Sequence, residues 1–305
     1  MSALLIEEER LDAVQPRILD VAQYLGAAQT LDGVSLEPYS PVVGAHVRGL
    51  RLDGQTPPSE AVRQFLYAGL LRYGFLAFEP GTVQAQDFGQ LAGLFGTARL
   101  MNTPHTPATR DNDNKVNTID SQVKKTRMNY IWHIDQAFRN APPRFTALFG
   151  QTVPAFGGDT LFTNATAAYD LLDPLLARYL ETLTAVHDVE TQGFLTLAYQ
   201  DAAELAAQRA KTPPIEAPLI RLHPETGRKQ IYANELYTQR ILGLSRSASQ
   251  GLLEVLFDLI RSPDVQTRFR WQQGTALIWD NRTVQHRGVG DFGTSHRRLH
   301  RAVIE

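Results

Sequence analysis

Short apolar runs separated by turn residues constrain this chain more than any other feature. Phe75-Leu-Ala-Phe78, Phe145-Thr-Ala-Leu-Phe149, Leu161-Phe-Thr163, Leu219-Ile-Arg-Leu222, Lys229-Gln-Ile-Tyr-Ala233, Phe269-Arg-Trp271, Thr275-Ala-Leu-Ile-Trp279 and Arg297 to Ile304 are all of strand length and rich in aromatic or β-branched residues. Helical patterns fall at the start of the chain and in insertions, and do not alternate with the strands. A mainly β sandwich or barrel with helical additions is therefore expected, not an alternating α/β sheet.

The punctuation supports this order. Ile18 to Leu25 is a helical piece in a segment, 1–41, that reads as an N-terminal extension, either an oligomer contact or a loose arm. Val42 to Leu52 reads as strand, with Gly44 and Gly49 marking bulges or close approaches. Ser59 caps a helix that ends at Gly74, and a second helix runs from Val83 to Phe95. From Asn102 to Met128 the chain is polar, apart from a strand at Lys115 to Ile119, and long loops of this kind border functional sites. A helix starts at Asn164 and restarts at Asp173-Pro174. The Ala- and Gln-rich stretch from 198 to 216 reads as a mobile lid, so residues 42–305 form the main domain with a helical insertion around 164–216. Ser245 to Ile260 is an amphipathic helix.

Composition removes several function classes. The chain has 305 residues, 43% of them hydrophobic, with a formal charge of −2. It can bury a large core, and it lacks the basic field that nucleic-acid binding requires. Cysteine is absent, which excludes disulfides, thiolate catalysis and Cys-based metal sites. Metal ligands must be His, Asp or Glu. The acidic start Met1-Ser-Ala-Leu-Leu-Ile-Glu-Glu-Glu-Arg10 is unlike a signal peptide, and no apolar run reaches membrane-spanning length. A cytoplasmic protein that contacts neither membrane nor nucleic acid is expected.

The chemistry concentrates in Asn129-Tyr-Ile-Trp-His-Ile-Asp-Gln136. In a strand, His133 and Asp135 turn to the same face. Together they are two thirds of the two-histidine, one-carboxylate triad that holds a non-haem Fe(II) with coordination sites left open. One His-x-acid match is expected by chance with 8 His and 32 acids, and the second match, His223-Pro-Glu225, lies in a Pro/Gly turn. The pair therefore needs a third ligand from elsewhere. Trp279-Asp-Asn-Arg282 leads to His286, far downstream, and a closed β fold can return it to the pair. In the last strand Arg297, Leu299 and Arg301 share a face, and two arginines on one side need anions to meet them.

These residues, with Gly157-Gly-Asp-Thr160 between them, resemble in order and spacing the taurine dioxygenase family of Fe(II)/2-oxoglutarate-dependent dioxygenases, from about Val42 to the C-terminus. The resemblance implies a double-stranded β-helix of jelly-roll type. It implies His133, Asp135 and His286 as metal ligands, and Thr160 with Arg297 as the grip on the distal carboxylate of 2-oxoglutarate. It further implies O2 as co-substrate, release of succinate and CO2, a small anionic organic substrate and a homo-oligomer. Asp135 occupies the vertex that related halogenases leave to halide, so hydroxylation is the implied outcome.

Arg301 matches the substrate-anion position of family members acting on sulfonates, sulfate esters or aryloxyalkanoates, and Asn129 and Tyr237 resemble substrate-pocket positions. Leu100-Met-Asn-Thr-Pro-His-Thr-Pro107 contains His105 but does not reproduce the His and Tyr that bind the taurine ammonium. A less polar alkyl sulfate, alkylsulfonate or aryloxyalkanoate is the expected substrate, with an amino-acid-derived or natural-product substrate as alternative. A zinc hydrolase and a non-catalytic jelly-roll binding protein are the readings from other classes.

Overall fold

A computed structural model describes residues 17–24, 26–54, 56–99, 117–122, 128–199 and 201–305. Strands β1 (Gln29–Leu31), β2 (Val34–Pro38) and β3 (Ala45–Arg48) precede helix α1 (Glu60–Tyr73) and β4 (Phe75–Phe78). After α2 (Phe88–Gly93) come β5 (Ala98–Arg99), β6 (Asn117–Asp120), β7 (Phe145–Thr152) and β8 (Thr160–Asn164). The insertion holds α3 (Ala165–Asp170), α4 (Pro174–Leu180), β9 (Thr184–His187), α5 (Phe194–Ala198), α6 (Ala202–Lys211) and β10 (Ile215–Pro218). Hairpin β11 (Ile220–Leu222) and β12 (Lys229–Ile231), then β13 (Thr238–Ile241) and α7 (Arg246–Arg261), lead to β14 (Gln266–Phe269), β15 (Ala276–Asp280), β16 (Val284–Gly288) and β17 (Arg298–Ile304).

Two sheets make the body. The large one runs β1-β2-β3-β4-β15-β7-β17-β5, with β6 also on β17, and the small one runs β14-β8-β16. Every pairing in them is antiparallel except β3 with β4. Their inner faces share one apolar core containing Phe75, Leu148 and Leu299 from the large sheet and Phe162 and Phe269 from the small one. The Phe75 and Phe162 rings lie 4.7 Å apart across it. Helix α1 closes the outer face of the large sheet, burying Val62, Leu66 and Leu70 against Leu76, Phe78 and Ile278. Its ends follow the sequence: Ser59 Oγ accepts from the Val62 amide, and Gly74 stops the helix at φ +77°. Two facing sheets with helices outside them form the double-stranded β-helix that was expected.

Gly44 shows why a glycine punctuates the first long strand pattern. Its φ is +90°, and a Cβ there would lie 2.1 Å from Phe75 Cζ, so only a hydrogen fits beneath that ring.

Several expectations need correction. Residues 29–38 of the presumed extension are paired into the large sheet, because Val34 and Leu36 have a buried face to contribute. Among its described residues, the Ile18–Leu25 piece holds a 3₁₀ turn, Val21–Gln23, in place of a longer helix. Most of the 198–216 stretch is built as α6 and β10, the latter hydrogen-bonded to β9, since Asp201 caps the helix and Ala217 is buried. The Asn129–Gln136 segment is not a strand: a 3₁₀ turn, Met128–Tyr130, is followed by a single bridge at His133. Residues 1–16, and Leu100 to Pro107 with His105, lie outside the described residues. Among the described residues no helix is long and apolar enough to cross a membrane.

The inter-sheet core should respond far more to truncation than the rim. Phe75→Ala is expected to cost about 3–5 kcal/mol in urea unfolding, whereas Phe156→Ala, at a side chain 80% exposed, should stay within about 0.5 kcal/mol of the parent. Equal losses would mean that Phe75 does not join the sheets.

Candidate active site

One backbone pairing assembles the site. The His133 amide donates to the His286 carbonyl and the His286 amide to the His133 carbonyl, each at 3.0 Å. This seats the irregular segment against β16 and brings the two imidazole rings to 4.2 Å between centroids. Asp135 follows through a turn in which Gln136 takes a positive φ of 55°, not through strand alternation. His133, Asp135 and His286 are all buried, with one potential ligand atom from each lying within 4.8 Å of the others. His133 Nε2 is 3.8 Å from Asp135 Oδ1.

The protonation states suit a cation. His133 Nδ1 lies 2.7 Å from the Ile131 carbonyl. A carbonyl only accepts, so Nδ1 carries the hydrogen and Nε2 presents its lone pair. Burial holds both imidazoles below their ordinary pKa, His286 most strongly. Burial alone would raise the Asp135 carboxyl, but the Arg301 guanidinium, the two imidazoles and the Thr146 hydroxyl outweigh it and hold the group at about 2. Two neutral nitrogens and one carboxylate oxygen match the donor set of a non-haem Fe(II).

A polar chain behind Asp135 sets its orientation. Thr146 Oγ1 donates to Oδ2 at 2.7 Å and accepts from Asn281 Nδ2 at 3.0 Å, while Asn281 Oδ1 accepts from Trp279 Nε1 at 2.9 Å. The next residue, Asp280, is buried and takes Arg282 and His223 as partners. His223 also accepts from the amides of Glu225 and Thr226, so the second His-x-acid match is a turn, as its Pro and Gly indicate. The Trp279-Asp-Asn-Arg282 sequence is thus a support for the neighbouring donors.

A cavity of about 860 Å³ opens on the triad, and Asn129, Thr160, Arg297 and Arg301 also line it. The Gly157-Gly-Asp-Thr160 turn gains a physical reason here. Both glycines have φ above +70°, and a Cβ on Gly158 would lie 3.0 Å from Arg297 Cδ, so the turn must be bare for the arginine to pass. Arg297 Nε donates to the Gly158 carbonyl at 2.9 Å, and no carboxylate pairs with this guanidinium among the described residues. Loss of water around it pushes its pKa down to about 10. Trp271 Nε1 donates to Thr160 Oγ1 at 3.0 Å, which leaves the hydroxyl hydrogen free for an acceptor in the cavity.

Arg301 Nη2 donates to Asp135 Oδ1 at 2.8 Å, so this arginine pairs with a triad member, and its Nε is buried without a partner. Tyr237 packs with Ile134, Phe138 and Leu236, close enough to Asp135 and Arg301 to feel their charge. Burial there raises its pKa. Sequence reasoning missed Thr146, Tyr130 and Trp271. Only Thr146 left a trace, as the lone polar residue in Phe145-Thr-Ala-Leu-Phe149.

Comparison with known proteins agrees with this geometry. The model of the taurine catabolism dioxygenase TauD, TfdA family matches residues 35–303. An alkylsulfatase of Acinetobacter baylyi is 32% identical over 272 residues, spanning 86% of this chain and 82% of the relative. An alpha-ketoglutarate-dependent sulfate ester dioxygenase of Pseudomonas putida is 30% identical, with 89% of each chain covered. The crystal structure of a taurine dioxygenase from Burkholderia xenovorans superposes with a TM-score of 0.73 at 25% identity, covering 89% of this chain and 90% of that one. A dioxygenase family leaves no place for the hydrolase or binding-protein readings. The chain belongs to the taurine catabolism dioxygenase TauD, TfdA family, whose enzymes use Fe(II), 2-oxoglutarate and O2.

Proposed function

We propose that the protein hydroxylates a small organic anion at the carbon next to its anionic group, with His133, Asp135 and His286 holding Fe(II). The observation that carries this is the presence, in one cavity, of that buried triad and of an arginine with no carboxylate partner among the described residues. Bound there with 2-oxoglutarate and O2, the ferrous ion supplies oxidative decarboxylation to succinate and CO2 coupled to hydroxylation of a C–H bond.

The residues prepare that chemistry. His133 and His286 offer neutral nitrogens and Asp135 the negative charge that favours a dication. Thr146 and Arg301 fix the carboxylate and share its oxygens. Arg297 presents a planar fork of donors for the distal carboxylate of 2-oxoglutarate, with the Thr160 hydroxyl beside it. Ile119, Leu148, Val289, Phe292 and Leu299 give the cavity apolar walls, which suits an alkyl chain and excludes water from the reacting carbon.

Arg301 is the reading's substrate anchor. One of its five donors serves Asp135, leaving the rest for an anion, and Asn129 adds an amide on the same cavity. The names of the relatives support sulfate esters as the first class to try. Hydroxylation beside the ester oxygen gives a hemiacetal-like product that collapses to an aldehyde and sulfate. Alkylsulfonates and aryloxyalkanoates are the neighbouring classes.

Two outcomes are expected. With Fe(II), ascorbate and 2-oxoglutarate, medium-chain alkyl sulfates should raise succinate formation at least tenfold above the substrate-free rate and release sulfate in equal amount; no stimulation by any sulfate, sulfonate or aryloxyalkanoate would defeat the substrate class. The second concerns pH. Both triad imidazoles have lowered pKa values and Asp135 stays ionised to about 2. Protons therefore should not compete for the site near the ordinary His pKa of about 6.5, and Co(II) affinity measured by calorimetry should be flat between pH 8 and pH 6. A tenfold loss per pH unit starting at 6.5 would show imidazoles of ordinary basicity.

A further inference from the structure

Tyr130, one residue past the start of the His133 motif, lines the cavity that holds Thr160 and Arg297. Its ring packs over a glycine path: added Cβ atoms on Gly288 and Gly290 would lie 3.5 and 3.1 Å from it. Gly288 is the register partner of Thr160 across β16 and β8, so the ring lies against the strand directly opposite the threonine. Tyr130 lines the same cavity as Arg297. Its phenol contributes to the electrostatic environment of that guanidinium, and the phenol oxygen has no hydrogen-bond partner among the described residues. Three donors therefore line one cavity: a guanidinium with no carboxylate in ion-pair contact among the described residues, a hydroxyl with its hydrogen free, and a phenol O–H.

We propose that Tyr130 donates its phenol hydrogen to the distal carboxylate of 2-oxoglutarate, as a third contact beside Thr160 and Arg297, and so selects keto diacids over keto monoacids. This rests on the reading given under Proposed function. A carboxylate has about four lone-pair sites. Arg297 and Thr160 fill up to three of them, leaving one to be satisfied where water is scarce. A rigid phenol held on two glycines meets that need at little entropic cost, and a hydrogen bond to a charged group is worth more than one between neutral groups.

The test is equilibrium binding to the full-length protein loaded with Mn(II), without O2, measured by calorimetry or competition for wild type and Tyr130→Phe. Two ligands are compared, 2-oxoglutarate and 2-oxopentanoate, which has the same keto acid head and no distal carboxylate. The expected result is a Kd for 2-oxoglutarate raised roughly tenfold or more by Tyr130→Phe, with the Kd for 2-oxopentanoate and the thermal midpoint unchanged. Unchanged 2-oxoglutarate binding, or an equal loss for both ligands, would overturn the role of Tyr130 while leaving the reading of the site intact. Failure of the wild type itself to prefer the diacid would overturn both.

Discussion

The structure depends on a pair of backbone hydrogen bonds between two histidines far apart in sequence. By exchanging amide and carbonyl with His286, His133 ties an irregular loop to the small sheet at one position. Everything chemical is then placed by proximity: the imidazoles face each other, and the turn after Ile134 delivers Asp135 between them and Thr146. The large sheet supplies the support from beneath, through Thr146 on β7 and Arg301 on β17, while the small sheet supplies Thr160 and His286. The jelly roll serves as a rigid frame in which two sheets hold one half of the site each.

Charge is distributed unevenly over the cavity wall. Asp135 and Arg301 neutralise one another in part, which keeps the carboxylate ionised in a buried setting and leaves the arginine with donors to spare. Arg297 has no carboxylate in ion-pair contact among the described residues, and holding it away from water is costly unless an anion meets it. The cavity thus carries an arginine with no carboxylate partner among the described residues and a carboxylate set between two imidazoles. A keto diacid, whose two ends have different tasks, suits that polarity.

Much of this was readable in the sequence, for specific reasons. The capped helix from Ser59 to Gly74, the Asn164 and Pro174 helix starts and the strand-length apolar runs each follow a local rule that the tertiary structure had no cause to override. That His133, Asp135, His286, Thr160 and Arg297 would come together in one cavity was legible through motif order and spacing. The irregular path of Asn129–Gln136 was not, because a single bridge with a positive-φ Gln136 has no sequence signature. The early strands β1 and β2 were hidden by their brevity and by turns that look like a polar extension. The packing of Tyr237 was not legible, because a buried tyrosine in an apolar cluster and one on a pocket wall look alike in sequence. Thr146 and Tyr130 could be valued only once their neighbours across the sheets were known.

The central claim is that one ferrous ion is held jointly by His133, Asp135 and His286. Anaerobic Fe(II) titration of the wild type alongside Asp135→Ala and His286→Ala tests it most directly. One equivalent should bind the wild type, and each variant should lose at least 100-fold in affinity while retaining its fold by circular dichroism. Variants that bind iron as tightly as the parent would place the metal elsewhere and contradict the account.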